Sequence, residues 1–531
     1  MNLFNITGII CLQTLCYCVI LSIDTYVSSL HLSPSINCSG LQNENILNHF
    51  YQSNNETCPR MDNDTSTHGL TPTRDRDEIV YRRTIANSLP AIIMTCALGM
   101  IIPFLGKRFV LILPMVGIAI QMTIALAIIY LDLGIYWWYL SGFLLGVFGN
   151  PGIIDFVIAL IIIDLTTVNN RSLWFVRFYA LRCVLTGLIT FLISYFGQYY
   201  GYIGLFWFAL VLQLISIGVI IRYIDLTLYN HTNLRIKNRF YLNFNIFIIF
   251  RGNHRSIQEK IGILLILIAY SFYALANSVI EAFYIALTTY PICWSWMLLN
   301  IYKLIMSINL GIFGMIGYHI LTRLTKTNDI LICIISNTFL LITHIWTALS
   351  QHNWQVFSNS AFYSFANYQN PLTLSILAQW LKPSETNLAF IFIIVINQFI
   401  ISFGDYFFKW IFMNTTYQHK NIILFVAGGF GLVSLILNIC LYAVERCISK
   451  PSSIVGETTA LVTDVDNNPD PSQSLSTDDH SPVPIRLFTI GKLTLSVTIG
   501  SPSKSKKQPT PSVEINQEDT TTQDNQNLIN L

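Results

Sequence analysis

Five charged side chains lie inside long apolar runs of this chain: Asp155, Arg182, Glu281, Lys303 and Asp405. An ionised group at the centre of a bilayer costs at least about 2.5–3.5 kcal/mol unless it is paired or hydrated. Each of the five is therefore a candidate for the chemistry. Their depths suggest partners. Asp155 stands nine residues before Asp164, at the end of one run, and Arg182 eight after Trp174, at the start of the next. At 1.5 Å per residue both lie about 12–14 Å from the same surface, close enough to pair. Glu281 and Lys303 each stand about six residues, or about 9 Å, from the opposite surface and suggest a second pair. Asp405 and Lys409 are one helical turn apart and are expected to satisfy each other. Two readings of the first two pairs stay open. They are static bridges holding neighbouring helices, or one member exchanges protons while a cation holds a substrate carboxylate.

Enzyme signatures are missing from the sequence. There is no His/Cys cluster at metal-ligand spacing, no glycine-rich phosphate loop and no Gly-X-Ser-X-Gly, and His319 and His344 stand alone in apolar surroundings. The expectation is a protein that is not an enzyme and carries no cofactor and no metal. The formal net charge of +2 gives no reason to expect a nucleic-acid partner.

The elements that must hold these residues are membrane helices. Of 531 residues, 53% are hydrophobic and 11% charged, against about 25% charged in soluble domains. A spanning helix needs about 20 apolar residues. Twelve such runs are read here. They begin at about 3–26, 84–105, 109–131, 136–163, 174–197 and 202–222, and continue at about 261–287, 297–319, 329–348, 358–380, 387–411 and 421–444. The first run begins at the initiator Met, as a cleaved signal peptide would, but it lacks a basic leading region and is read as a span. A polar, basic segment at 223–260 divides the runs six and six, as in a two-bundle transporter. The expected organisation is thus an amino-terminal bundle over 1–222, a linker over 223–260, a carboxy-terminal bundle over 261–444 and a disordered tail over 445–531 rich in Ser, Thr, Asp, Pro and Asn. Lys504, Lys506 and Lys507 in that tail are read as solvated, with a lipid-surface or phosphorylation site as the alternative.

Lys and Arg alternate between loops. Lys107, Arg108, Arg171, Arg235, Arg251, Arg323 and Arg446 fall on one side, which the positive-inside rule makes cytoplasmic, with both termini. The long first loop, about 27–82, is then outside and carries Asn-X-Ser/Thr sequons at Asn37, Asn55 and Asn63, with Asn414 in the last outer loop. These are expected glycosylation sites; Asn170 and Asn230 match the triplet but face the cytoplasm and are expected to stay bare.

The turn within Gly99–Gln121, with Gly106, Lys107 and Arg108 at its centre, resembles the loop between the second and third helices of the major facilitator superfamily, with Pro103 where that motif has an aspartate. Further landmarks resemble its proton-coupled folate transporter branch, solute carrier family 46. They are Gly149-Asn150-Pro151-Gly152, Asp164, Asn170-Arg171-Ser172, Tyr290-Pro291-Ile292-Cys293-Trp294, Asn370-Pro371-Leu372 and the 425–432 stretch FVAGGFGL. Together they span about residues 85 to 445.

The resemblance implies an all-α fold of two pseudo-symmetric six-helix bundles, and transport of organic anions or folate-like solutes by alternating access. It implies a membrane location, in the plasma membrane or an endolysosomal one, with protons as a possible coupling partner. It implies that Gly99, Gly106, Lys107, Arg108, Asp164 and Arg171 form an inner gating loop. It implies a Cys58–Cys293 disulfide, with Cys38 as the other partner for Cys293. It makes Glu281, an acid in the family too, the firmest carry-over. The chain departs from the branch at Asn150, Arg182, Ala276 and Leu374, where the family has an aspartate, an acid, a histidine and an arginine. Proton-independent exchange of another amphipathic metabolite, and a sensor or scaffold that transports nothing, therefore remain alternatives. Substrate identity and oligomeric state are left open by the sequence.

Overall fold

The computed structural model describes residues 71–200, 202–223, 256–288, 294–325, 328–415 and 421–449, together with Gly8, Gln13, Thr14, 489–490 and 493–494. The chain divides into a helical unit, Met1–Ser453, and a second unit, Ile454–Leu531. In the second unit the described residues form a two-stranded antiparallel ribbon, β1 (Thr489–Ile490) and β2 (Leu493–Thr494). Of the expected disordered tail, residues 445–449 are instead the last turn of the helix that ends at Ser449, and the rest lies outside the described residues, as do the 224–255 part of the linker and Cys38, Cys58, Cys293, Asn37, Asn55 and Asn63.

The helical unit is built from α1 (Thr71–Leu131), α2 (Ile135–Phe148), α3 (Pro151–Leu165), α4 (Arg171–Tyr200), α5 (Tyr202–Tyr223), α6 (Ile257–Asn277) and α7 (Ile280–Thr288). It continues with α8 (Trp296–Leu324), α9 (Asp329–Leu349), α10 (Asn353–Phe365), α11 (Gln369–Trp380), α12 (Pro383–Asn414) and α13 (Ile422–Ser449). Among the described residues ten helices are long and apolar enough to cross a membrane, which makes this an integral multi-pass membrane protein. In lipid the backbone must satisfy its own hydrogen bonds, so continuous apolar runs become helices. Two of the twelve expected spans are not among the ten. Residues 3–26 are described only at three positions, where Gln13 and Thr14 are helical and buried and Gln13 donates to Ser216 Oγ at 2.7 Å. Residues 358–380 form the broken pair α10–α11, whose Ser, Asn and Gln residues keep its hydropathy low.

Expected uninterrupted runs are broken at identifiable residues. Within α1, Gly106 adopts φ +79° and ψ 153°, which separates the second and third spans. Gly149, at φ +88°, ends α2, and Asn150 then caps α3, accepting from the Gly152 N–H at 3.0 Å, with Pro151 at the first helical position. The seventh span breaks between Asn277 and Ile280, and the tenth between Phe365 and Gln369.

Packing in the first half relies on small residues. Gly142 and Gly146 let α2 lie against the Arg83–Pro90 stretch of α1, and a Cβ on Gly146 would stand 2.2 Å from the Asn87 carbonyl. The Arg83 guanidinium lies 3.9 Å over the buried Trp138 ring. In the second half α13 packs against both α9 and α6, fastened by the Ser434 hydroxyl, which lies 3.3 Å from Asn337 Oδ1 and 2.8 Å from the Ala269 carbonyl. The halves meet along two seams. In one, the first part of α1 lies on α12, and a Cβ on Gly99 would stand 2.2 Å from Ile391 Cδ1. In the other, α4 crosses α8 with Gly187 against Ser307 and Gly311 against Val184 and the Ala180 carbonyl.

Candidate functional site

Asp155 lies one turn into α3, and Arg182 lies three turns into α4. The two form an ion pair, as their depths suggest. Their side chains are nonetheless 42% and 37% exposed, at mid-span on helices whose other residues are mostly apolar. Asp155 is within electrostatic reach of the Tyr270 hydroxyl on α6, in the other half. Around it stands a group of phenols and amides drawn from both halves. Tyr270 donates to Asn370 Oδ1 at 3.3 Å, Tyr273 to Asn367 Oδ1 at 3.0 Å, and Tyr363 to Asn277 Oδ1 at 3.3 Å. Tyr179 of α4 is within reach of Tyr273 and Tyr363. Asn277, Asn367 and Asn370 sit at or beside the breaks in the seventh and tenth spans, so irregular backbone supplies the amides. Non-helical backbone at membrane depth is tolerated where it lines protein or a cavity, which makes such breaks markers of binding sites.

The fourth and tenth spans, equivalent in the two halves, share one device. Each restarts after a break with an Asn-Pro pair, Asn150-Pro151 at the start of α3 and Asn370-Pro371 in the first turn of α11, and each asparagine binds a partner on another span. Asn150 Oδ1 accepts from Gln398 Nε2 of α12 at 2.7 Å, and Gln398 also donates to Thr95 Oγ1 of α1 at 3.2 Å. One buried amide thereby joins the break in the fourth span to both sides of the α1–α12 seam. Gln398 and Thr95 are not sequence candidates. Their signal was present, since a lone glutamine in an apolar span needs a partner.

Glu281 and Lys303 do not form the expected pair: among the described residues no ion pair joins them. The break at Ser278 re-phases α7 relative to α6 and leaves Glu281 exposed. The Lys303 ammonium lies 4.2 Å over the Tyr284 ring instead. Asp405 and Lys409 are in contact at 2.8 Å. Asn414 ends α12 exposed, with its amide N–H donated to the Trp410 carbonyl at 2.8 Å.

The expected gating residues gather at one end. Lys107 pairs with Asp164 and donates to the Leu160 carbonyl at 3.2 Å, and Arg108 donates to the Ile221 carbonyl, which ties α1 to α3 and α5. Asp164 also attracts Arg171, whose guanidinium crosses to the other half and donates to the Ala378 carbonyl at 2.9 Å. Beside it, the Ser172 and Ser375 hydroxyls are 2.7 Å apart and Ser172 donates to Asp329. Phe175 meets Phe390 edge-on, with ring centroids 6.5 Å apart. This end is closed across the halves. Gly106 and Gly99 serve it differently, one turning the chain and the other letting α12 approach. Among the described residues no group of three or more His, Cys, Asp or Glu gathers as a metal site would need.

No protein-family model and no curated protein matches the sequence. Solved structures do match the fold. The human organic anion transporter MFSD10 (TETRAN) superposes with a TM-score of 0.63 at 14% identity, covering 82% of this chain and 98% of its own. The proton:xylose symporter XylE, bound to a halogenated deoxyglucose, gives a TM-score of 0.55 at 11% identity, covering 82% of this chain and 94% of its own. FucP in the outward conformation gives 0.54 at 11%, covering 82% and 98%. The helical unit has the all-α major facilitator fold, with ten candidate spans among the described residues.

Proposed function

We propose that this chain is a secondary transporter that carries a carboxylate-bearing organic solute across a membrane by alternating access. The observation that carries the reading is the half-exposed Asp155–Arg182 pair, held at mid-span in a major facilitator fold with Asp155 within electrostatic reach of Tyr270 in the opposite half. Arg182 is the group that meets the substrate carboxylate, and Asp155 is its counter-charge and the candidate proton carrier. Asn150 positions the broken fourth span above them. Glu281 and Lys303 line the approach from the other surface. The Lys107–Asp164 bridge and the Arg171–Ala378 and Ser172–Ser375 contacts form the gate on the basic side, which is cytoplasmic in this reading, with both termini. Organic anions, folates among them, are the substrate class tested first, and the membrane is the plasma membrane or an endolysosomal one. The reading is not enzymatic.

The test is uptake of labelled reduced folate and a panel of organic anions by cells expressing the chain, at acidic and neutral outer pH. Saturable uptake that rises in acid supports transport with a coupled proton. Saturable uptake indifferent to pH supports exchange or uniport. Surface expression without saturable uptake of any solute in the panel would sink the reading.

A further inference from the structure

We propose that a groove between α1, α6, α12 and α13 holds a rigid, uncharged polycyclic lipid of the sterol class. The groove encloses about 690 Å³, within the roughly 300–1,000 Å³ of sites that take one small molecule. Its lining residues come from these four helices and not from α3 and α4, which carry Asp155 and Arg182. Ile92, Phe272 and Phe399 line it from three helices, and each lies at least ten residues from either end of its candidate span, about 15 Å at 1.5 Å per residue. At that depth a bilayer is hydrocarbon. Phe272 stands about 200° around α6 from Tyr270, so the groove turns away from the tyrosine and asparagine group. Phe399 and Phe407 are exposed along it. Its occupant therefore enters from the lipid.

The lining sets the class of ligand. Among the described residues that form it none is ionisable, and its one hydroxyl, on Ser271, donates to the Leu267 carbonyl of its own helix at 2.8 Å. An ion or a polar headgroup in the groove would go without partners, which is costly away from water. Five of the lining residues are phenylalanines. On α12, Phe399 and Phe403 have ring centroids 4.5 Å apart and planes 33° apart. Phe272 of α6 stacks with Phe430 of α13 at 6.2 Å and 30°, and Phe407 links the two pairs, its ring 6.4 Å from that of Phe430. Rings so nearly parallel make flat walls. A fused-ring body covers such walls with little conformational freedom to lose, whereas an acyl chain gives up rotamers along its length. Ile92 belongs to the first half and the other lining residues to the second, so a bound sterol touches both halves beside the α1–α12 seam.

The experiment uses the purified full chain in phosphatidylcholine nanodiscs, with tritiated cholesterol as the probe and oleyl alcohol as the competitor. Both are neutral alcohols, one a rigid ring system and the other a flexible chain. Saturable binding of cholesterol is expected, with oleyl alcohol at least 10-fold weaker. Cholesterol should also raise the midpoint of thermal unfolding saturably, as a ligand of the folded state does. Ser271→Phe places a ring in the groove and should weaken cholesterol binding at least 10-fold. If that variant fails to fold, a diazirine-bearing sterol tests the site on the unmodified chain, and its label, mapped by mass spectrometry, should fall on groove residues of α6 and α12. Oleyl alcohol that competes as well as unlabelled cholesterol overturns the sterol class. Cholesterol binding unchanged by Ser271→Phe, label confined to other helices, or no saturable binding overturns the site.

Discussion

Asp155 and Arg182 are each other's counter-charge, and that fixes what their substitution does. Removing one partner of an exposed pair costs up to about 1 kcal/mol, and of a buried pair about 3–5 kcal/mol. A pair this exposed belongs between the two. Asp155→Asn and Arg182→Gln should each lower the midpoint of thermal unfolding and reduce uptake at least 10-fold. A double-mutant cycle should return a coupling of about 1 kcal/mol or more in stability. The same cycle on Glu281→Gln and Lys303→Gln should be additive within about 0.5 kcal/mol, because no bond joins them. Coupling of similar size in both cycles would mean that the side chains do not sit as described. The first pair was legible in the sequence because both members lie on helices that run straight from the surface used to count their depth. The second was not. The depth of Glu281 is counted within α7 alone, and the break at Ser278, where the helix stops and restarts, is what a count of depth leaves out.

At the scale of helices, glycines separate two kinds of constraint. Gly106 and Gly149 both hold positive φ, which costs another residue about 1–2 kcal/mol. Around Gly106 a Cβ meets open space, whereas at Gly149 it would stand 2.3 Å from Ile153 Cδ1. Gly149→Ala should therefore lower thermal stability clearly more than Gly106→Ala, measured on purified protein. Equal losses would show that conformation alone matters at both sites. Asn150→Ala should cost about 1 kcal/mol for the lost helix cap, and more because Gln398 loses an acceptor. Ten of the twelve apolar runs became candidate spans because hydropathy over about 20 residues decides helix formation in lipid. Gly149-Asn150-Pro151 holds the residue types that interrupt a helix, since glycine and proline carry fixed conformational preferences, yet the 136–163 run is read straight through them. Nothing of that kind marks Asn277-Ser278-Val279, so the break there is visible only in the folded chain. The Gln398–Asn150 bond was equally hidden, because it joins residues 248 apart.

Across the whole molecule, the closed end offers a test of the proposed transport cycle. Ser172 and Ser375 are buried, lie in different halves and have hydroxyls 2.7 Å apart. Cysteines at both positions should form a disulfide on oxidation and stop uptake, and reduction should restore it. Uptake that continues with the bond formed would mean that this end does not open. The α4–α8 crossing sets the scale of that opening. Gly187 lies sixteen residues along α4 from Arg171, about 24 Å at 1.5 Å per residue. Because a Cβ on Gly187 would stand 2.3 Å from Ser307 Cβ, the crossing is close enough to serve as a fulcrum in the proposed cycle, with the rest of α4 as a lever arm. Parting the gate by about 10 Å, one helix diameter, takes a tilt of only about 24° over an arm of that length. Displacement shrinks toward the pivot, so Arg182, five residues from Gly187, travels least while the ends sweep past it.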